Sequence, residues 1–281
     1  MSGKAGSLAR VLHMRRVLCH TLPAGNVEAG EKVAESIRAS GIKGSVQVKQ
    51  LDLADLASVR ALAAELSKQA RIDMVILNAG VMGCPKSYTK DGFEMQIGTN
   101  HFGHFVLVQG LVDKLKKQDH PSRIVVVSSL AAKMSRLNLD DLHYRNSWYS
   151  AMLAYNNSKM ANILFAKQLA IRLKGTLVKV FALHPGTIGA TNLTRHVTHY
   201  IPQFVVQTAM FMVSYFMKTV QQGAATSVYA ATAPELEDKS GAYLDCCTIV
   251  PAYGHEEVNT KMAEDLWRIT EEQIAAATPK C

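Results

Sequence analysis

From about residue 27 to residue 186 the apolar residues recur with two alternating periods, and no other feature narrows the available folds as much. The stretches 29–40, 58–69, 93–117 and 155–173 carry apolar residues at helical spacing, with Ser58 as the expected cap of the second. Ser45-Val-Gln-Val-Lys-Gln-Leu51 alternates at period two, as a strand does. Met74-Val-Ile-Leu77, Arg123-Ile-Val-Val-Val127 and Val178-Lys-Val-Phe-Ala-Leu183 are short apolar runs of the kind a parallel sheet buries on both faces. Strands separated by helices of this length form βαβ units, so the expected fold class is α/β, a doubly wound parallel sheet. No repeat, low-complexity tract or linker divides the chain after residue 25.

Open sheets of this type bind ligands beyond the carboxyl ends of their strands. The polar and glycine-bearing segments fall there: Asp52, Asn78-Ala79-Gly80, Ser128-Ser129 and Pro185-Gly186. Four such strand ends are hard to explain by solubility alone.

Composition excludes some alternatives. With 48% hydrophobic and 19% charged residues, the 281-residue chain can bury a large core and is not expected to be disordered. The formal charge of +8 raises nucleic acid or an anionic membrane as partners. Its basic residues are scattered, without a block or motif, so no nucleic acid is expected and a basic enzyme binding an anionic small molecule is preferred. Cys19, Cys84, Cys246, Cys247 and Cys281 have no metal-ligand spacing, so no metal is expected. The odd, irregular set fits a reducing compartment, and a cytoplasmic location is expected, with organellar import left open by the acid-free, Arg-containing start. Residues 200–217 carry no charge, but Pro202, Gln203 and Gln207 interrupt the run. An apolar flap over a substrate pocket is expected there rather than a membrane span.

Tyr155-Asn-Asn-Ser-Lys159 is the sharpest chemical feature, since a Tyr and a Lys four apart share one helix face. A free phenol has a pKa of about 10, well above neutral pH. A neighbouring ammonium favours the phenolate, and a phenol so tuned can exchange a proton with a substrate oxygen. By itself the spacing also fits a surface pair. Ser129, after a buried strand, is suited to hydrogen-bond a carbonyl or a developing oxyanion, or to cap a turn, as Ser128 does equally well. Asn100 lies inside a helical stretch where Asn has poor propensity. It is either a local defect or a residue retained for hydrogen bonding.

Taken in order, Asn78-Ala-Gly-Val81, Asn100-His-Phe-Gly-His104, Val127-Ser-Ser129, Tyr155-x-x-x-Lys159 and His184-Pro-Gly186 resemble the motif series of the classical short-chain dehydrogenases/reductases. Thr89-Lys-Asp-Gly-Phe93, Asp140-Asp-Leu142, Gln222-Gly-Ala-Ala225 and Leu266-Trp267 resemble its retinol dehydrogenase and WW-domain oxidoreductase-like branch. The resemblance runs from about residue 26 to the end and implies a Rossmann-type fold. It implies that Tyr155 is the general acid/base, that Lys159 lowers its pKa and holds the nicotinamide ribose, that Ser129 polarises the carbonyl, and that Asn100 anchors a water of the proton relay. It sets Asn78, Ala79 and Gly80 beside the adenosine ribose, Asp52 and Leu53 at the adenine, Pro185 and Gly186 at the nicotinamide, and Thr191 as a further cofactor contact. NADP is the implied cofactor, with NAD not excluded. An apolar small molecule is the implied substrate, and the long helices from residues 93 and 155 are the family's homodimer surface.

Residues 1–25 depart from the family pattern. Gly3 and Gly6 lack the spacing of Thr-Gly-x-x-x-Gly-x-Gly, and no apolar strand precedes them, so the first strand and the glycine-rich loop are expected to be missing. A misread frame, unspliced segment or alternative start is the expected origin. A diverged strand formed by residues 15–19 is the rival. Residues 26–281 are then read as one dehydrogenase domain. Two functions follow: an NAD(P)-dependent oxidoreductase acting on a carbonyl or alcohol, or a silent relative that binds or regulates without a working cofactor site.

Overall fold

A computed structural model describes residues 18–24, 26–41, 44–186, 219–252 and 256–277. Its strands are β1 (Leu18–Ala24), β2 (Gly44–Gln50), β3 (Met74–Leu77), β4 (Ser122–Val127), β5 (Val178–His184), β6 (Tyr243–Asp245) and β7 (Thr248–Val250). The main helices are α1 (Val27–Ala39), α2 (Leu56–Leu66), α3 (Gly103–Lys117), α4 (Ala151–Arg172), α5 (Val220–Thr232) and α6 (Glu256–Ala277). Every strand pairing is parallel except β6 with β7, as expected for a Rossmann-type, parallel-dominated sheet with flanking helices.

The sheet is in two parts. β1 pairs with β2, and β3-β4-β5-β6-β7 form a second sheet. Among the described residues no strand lies between β1 and β3. β3 therefore has a neighbour on one side only, and Met74 and Ile76 are 45% and 46% exposed. That exposure is unusual for a parallel strand, which is normally covered on both faces.

Local chemistry sets most helix starts. Asn26 Oδ1 accepts from the Ala29 amide to start α1. α2 is capped by Asp55, which accepts from the amides of Ala57 and Ser58. Ser58 was expected in that role; its hydroxyl instead accepts from the Asp52 amide at 3.0 Å. α4 begins at Ala151, capped by Ser150, one turn before Tyr155. The stretch 93–117 is not one helix: a single turn, Met95–Ile97, leads into a π-helical turn, Gly98–Phe102, and only then into α3.

The larger core lies between the sheet and α2, α3, α4 and α6, where Leu62, Leu111, Phe105, Leu164, Phe165 and Trp267 are buried. Each such side chain contributes roughly 1.5–3 kcal/mol relative to exposure. Trp267 of α6 stacks on Phe165 of α4 and meets Phe105 of α3 edge-on, while the Arg172 guanidinium lies 4.4 Å above its ring. The second face buries Val125, Phe181 and Leu244 against Ala230 and Ala231 of α5.

Candidate active site

The site forms where β3, β4 and β5 end and α4 begins. At the carboxyl end of β4 the two serines have different jobs. Ser128 is buried: its amide donates to Leu183 O at 2.6 Å and its hydroxyl to Lys159 O, also at 2.6 Å. Ser129 caps the 3-10 turn Leu130–Met134 by accepting from the Ala131 amide, and it favours the ionised form of the Tyr155 phenol. Of the pair, Ser129 is the turn cap and Ser128 is not.

Tyr155 and Lys159 are each 4% exposed and stand one turn apart on α4. Lys159 Nζ is 5.7 Å from the centre of the Tyr155 ring and donates to Val127 O at 3.3 Å, a carbonyl it shares with Asn162 Nδ2 at 3.2 Å. Burial holds the lysine down to about 8. Burial raises Tyr155 above its ordinary value, and Ser129 acts in the opposite direction. The cause is position. The ammonium turns to the strand-end carbonyl rather than to the phenol oxygen, and desolvation disfavours the charged form of both groups.

Asn100 occupies the π turn and is fully buried. Its Oδ1 accepts from the Val81 amide at 2.8 Å, and its Nδ2 donates to Val81 O and to Ser158 Oγ, both at 2.9 Å. Both readings of this residue hold, since the defect in the helix is what delivers the side chain to the strand end. Gly80 lies against it: a Cβ there would meet Asn100 Oδ1 at 2.8 Å and Lys159 Nζ at 3.5 Å. Asn78 and Ala79 are exposed on the approach to Gly80.

Asp52 is exposed and accepts from the Ala54 amide at 2.9 Å. Leu53 is buried beneath α3, so close that a side chain at Gly103 would clash with its carbonyl oxygen at 2.5 Å. Pro185 and Gly186 are half-buried after β5, where the Gly186 amide donates to His184 Nδ1 at 3.0 Å and His184 Nε2 lies 3.2 Å from Asp245. Thr191 and residues 200–217 lie outside the described residues. Sequence reasoning missed Ser158, Val81 and Asp245. Ser158 could have been found, because it sits inside Tyr155-x-x-x-Lys159; the other two act through a main chain and a distant hairpin.

The geometry fits half of a dinucleotide site. The carboxyl ends of β3 and β4 bring Gly80 and Ser129 to the same end of the sheet as Tyr155 and Lys159. Among the described residues there is no glycine-lined helix N-terminus, the usual anchor of a pyrophosphate. The start of α1 is closed by the Asn26 side chain. No helix among these residues is long and apolar enough to cross a membrane, and no His, Cys, Asp or Glu group could hold a metal ion.

Comparison with known proteins agrees with the geometry. The short chain dehydrogenase family model matches residues 9–201. Retinol dehydrogenase 14 of Homo sapiens is 46% identical over 240 residues, covering 84% of this chain and 68% of that one. Among solved structures, an uncharacterized protein from Mycobacterium paratuberculosis is 32% identical with a TM-score of 0.65, over 90% of this chain and 82% of that one. An NADPH-bound carbonyl reductase from chicken fatty liver is 18% identical with a TM-score of 0.56, over 89% and 94%, a likeness of fold alone.

Proposed function

This chain belongs to the short chain dehydrogenase family of NAD(P)-dependent oxidoreductases, and on that premise we propose that it interconverts an apolar alcohol and its carbonyl compound, with NADP preferred over NAD. The observation that carries the proposal is the placement of buried Tyr155 and Lys159 one turn apart on α4, with Lys159 Nζ 5.7 Å from the Tyr155 ring and hydrogen-bonded to the end of β4, where Ser129 follows. Tyr155 gives a proton to the substrate oxygen in reduction and takes one in oxidation. Ser129 donates to the same oxygen as charge develops on it. Lys159, low enough near 8 to trade its proton, and Asn100 complete the polar wall behind the phenol. A bound nicotinamide supplies or accepts the hydride; Lys159, Asn78, Ala79, Gly80, Pro185, Gly186 and Thr191 are the residues proposed to hold it, with Asp52 and Leu53 toward the adenine. The NADP preference rests on the retinol dehydrogenase-like resemblance.

Exposed apolar side chains neighbour the site in the chain: Leu130 (43%) and Met134 (64%) follow Ser129, and Met152 (43%) precedes Tyr155 by one turn. They support an apolar substrate, and the name of the relative supports a retinoid-like or other lipid-derived alcohol. A homodimer through α3 and α4 belongs to the same reading, but it must accommodate α6, whose Trp267 packs on both helices.

A second reading, a silent binding or regulatory protein, is favoured by two observations among the described residues: the break between β1 and β3 and the lack of a glycine-lined phosphate site. Turnover of a panel of apolar alcohols and aldehydes with NADPH and NADH, for the parent and Tyr155→Phe, separates the two. The enzyme reading expects turnover that falls by about 10²–10⁴-fold in the variant. Folded parent protein with neither turnover nor saturable NAD(P)H fluorescence supports the silent reading.

A further inference from the structure

Two histidines follow Asn100 closely, and the reading above uses neither. His101 is the next residue and His104 comes one turn later; they are 1% and 2% exposed. In each, the hydrogen-bond partner dictates which nitrogen carries the proton. His104 Nδ1 lies 3.0 Å from the main-chain carbonyl oxygen of Asn100. A carbonyl oxygen only accepts, so Nδ1 bears the hydrogen. His101 Nε2 lies 3.0 Å from Thr270 Oγ1, and that hydroxyl already gives its one hydrogen to Leu266 O at 2.7 Å. Thr270 can then only accept, so the hydrogen of His101 is on Nε2.

The other nitrogen of His101 has no hydrogen-bond partner among the described residues. The ring is packed among Phe102, Phe105 and Phe165, with centroids 5.4, 6.1 and 5.8 Å away. A second proton there would be an unpaired buried charge. Burial accordingly holds His101 down to about 3 and His104 down to about 4, the latter assisted by the charge of Lys159.

We propose that His101 and His104 are positioning residues for Asn100, neutral rings locked in opposite tautomers, one within its π turn and one just after it. His101 moors the turn to α6 through Thr270. His104 supplies a side-chain donor to the Asn100 carbonyl, in a turn whose widened hydrogen-bond pattern shows in the bond from the Gly103 amide to Gly98 O. The Asn100 side chain is then free to grip Val81 and Ser158. The consequence for turnover rests on the oxidoreductase reading; the tautomers do not.

Histidine-labelled protein tests the tautomers by two-bond proton–nitrogen correlation, with His101→Phe and His104→Phe giving the assignments. His104 is expected as neutral Nδ1–H and His101 as neutral Nε2–H throughout pH 5.5–9, a range that spans the ordinary histidine value of about 6.5. Either ring titrating in that range, or found in the other tautomer, overturns the assignment. The Asn100 side-chain amide gives a second readout: its resonances should move in His104→Phe and return toward the parent in His104→Gln, which keeps a donor. Unmoved resonances in a folded His104→Phe protein overturn the positioning role. If the parent turns over, His104→Phe should lower kcat about tenfold or more with KM within about twofold, and an unchanged kcat also overturns it. A parent without turnover counts against the oxidoreductase reading, and the resonance measurements still decide the histidines.

Discussion

Asn100 grips the Val81 peptide from both sides, accepting from its amide at 2.8 Å and donating to its carbonyl at 2.9 Å. Asn100→Ala takes this partner from the part-buried amide and carbonyl of Val81 and from the buried Ser158 hydroxyl. Each unpaired buried group costs about 1–3 kcal/mol, so the variant should lose about 2 kcal/mol or more, and its thermal midpoint should fall by about 4 °C or more. A melt within 1 °C of the parent would show that the grip contributes nothing.

Gly80 is needed because of Asn100. A Cβ at Gly80 would sit 2.8 Å from an Oδ1 that a hydrogen bond holds in place, so Gly80→Ala should destabilise the protein and lower turnover. In an Asn100→Ala background the obstructing group is gone and the added methyl should cost little. A double-mutant cycle measures this coupling, and additive costs in the cycle would sink the argument.

Lys159 trades stability for chemistry. Its folded value of about 8 lies below the ordinary 10.5. Below pH 8 folded and unfolded chains both hold the proton, and the burial cost is carried in full. Between about 8 and 10.5 only the unfolded chain holds it, so stability rises with pH across that window. Lys159→Met should remove a cost on the order of 3 kcal/mol, raise the melting temperature at pH 7, flatten its rise toward pH 10, and abolish turnover. A lower melting temperature at pH 7 would contradict this.

The divided sheet bears on cofactor affinity. Among the described residues β3 has no strand partner on one side, with Met74 and Ile76 half-exposed, and these residues offer the pyrophosphate no glycine-lined anchor. The 281-residue chain should bind NADPH much more weakly than micromolar and should aggregate readily. A chimera carrying a family first strand and Thr-Gly-x-x-x-Gly-x-Gly loop should recover both properties. Fluorescence titration and light scattering measure them; micromolar affinity with a cooperative melt in the unaltered chain overturns this account.

The sequence by itself determined the α/β alternation and the chemical identity of the site. Periodicity is a local property, and Tyr155 and Lys159 share a helix face wherever that helix lies. It also signalled that the start departs from the family pattern. Only the tertiary structure decided what each group faces. That Lys159 turns to Val127 O and leaves Tyr155 raised rather than lowered depends on burial and on a carbonyl 32 residues away in the chain. That the helix through Asn100 opens into a π turn depends on the Val81 peptide it must reach. That Ser58 yields the cap to Asp55 depends on the Asp52 amide it serves instead. Propensity and spacing describe a residue among its sequence neighbours, whereas pKa values, tautomers and strand partners are set by groups brought together only when the chain folds.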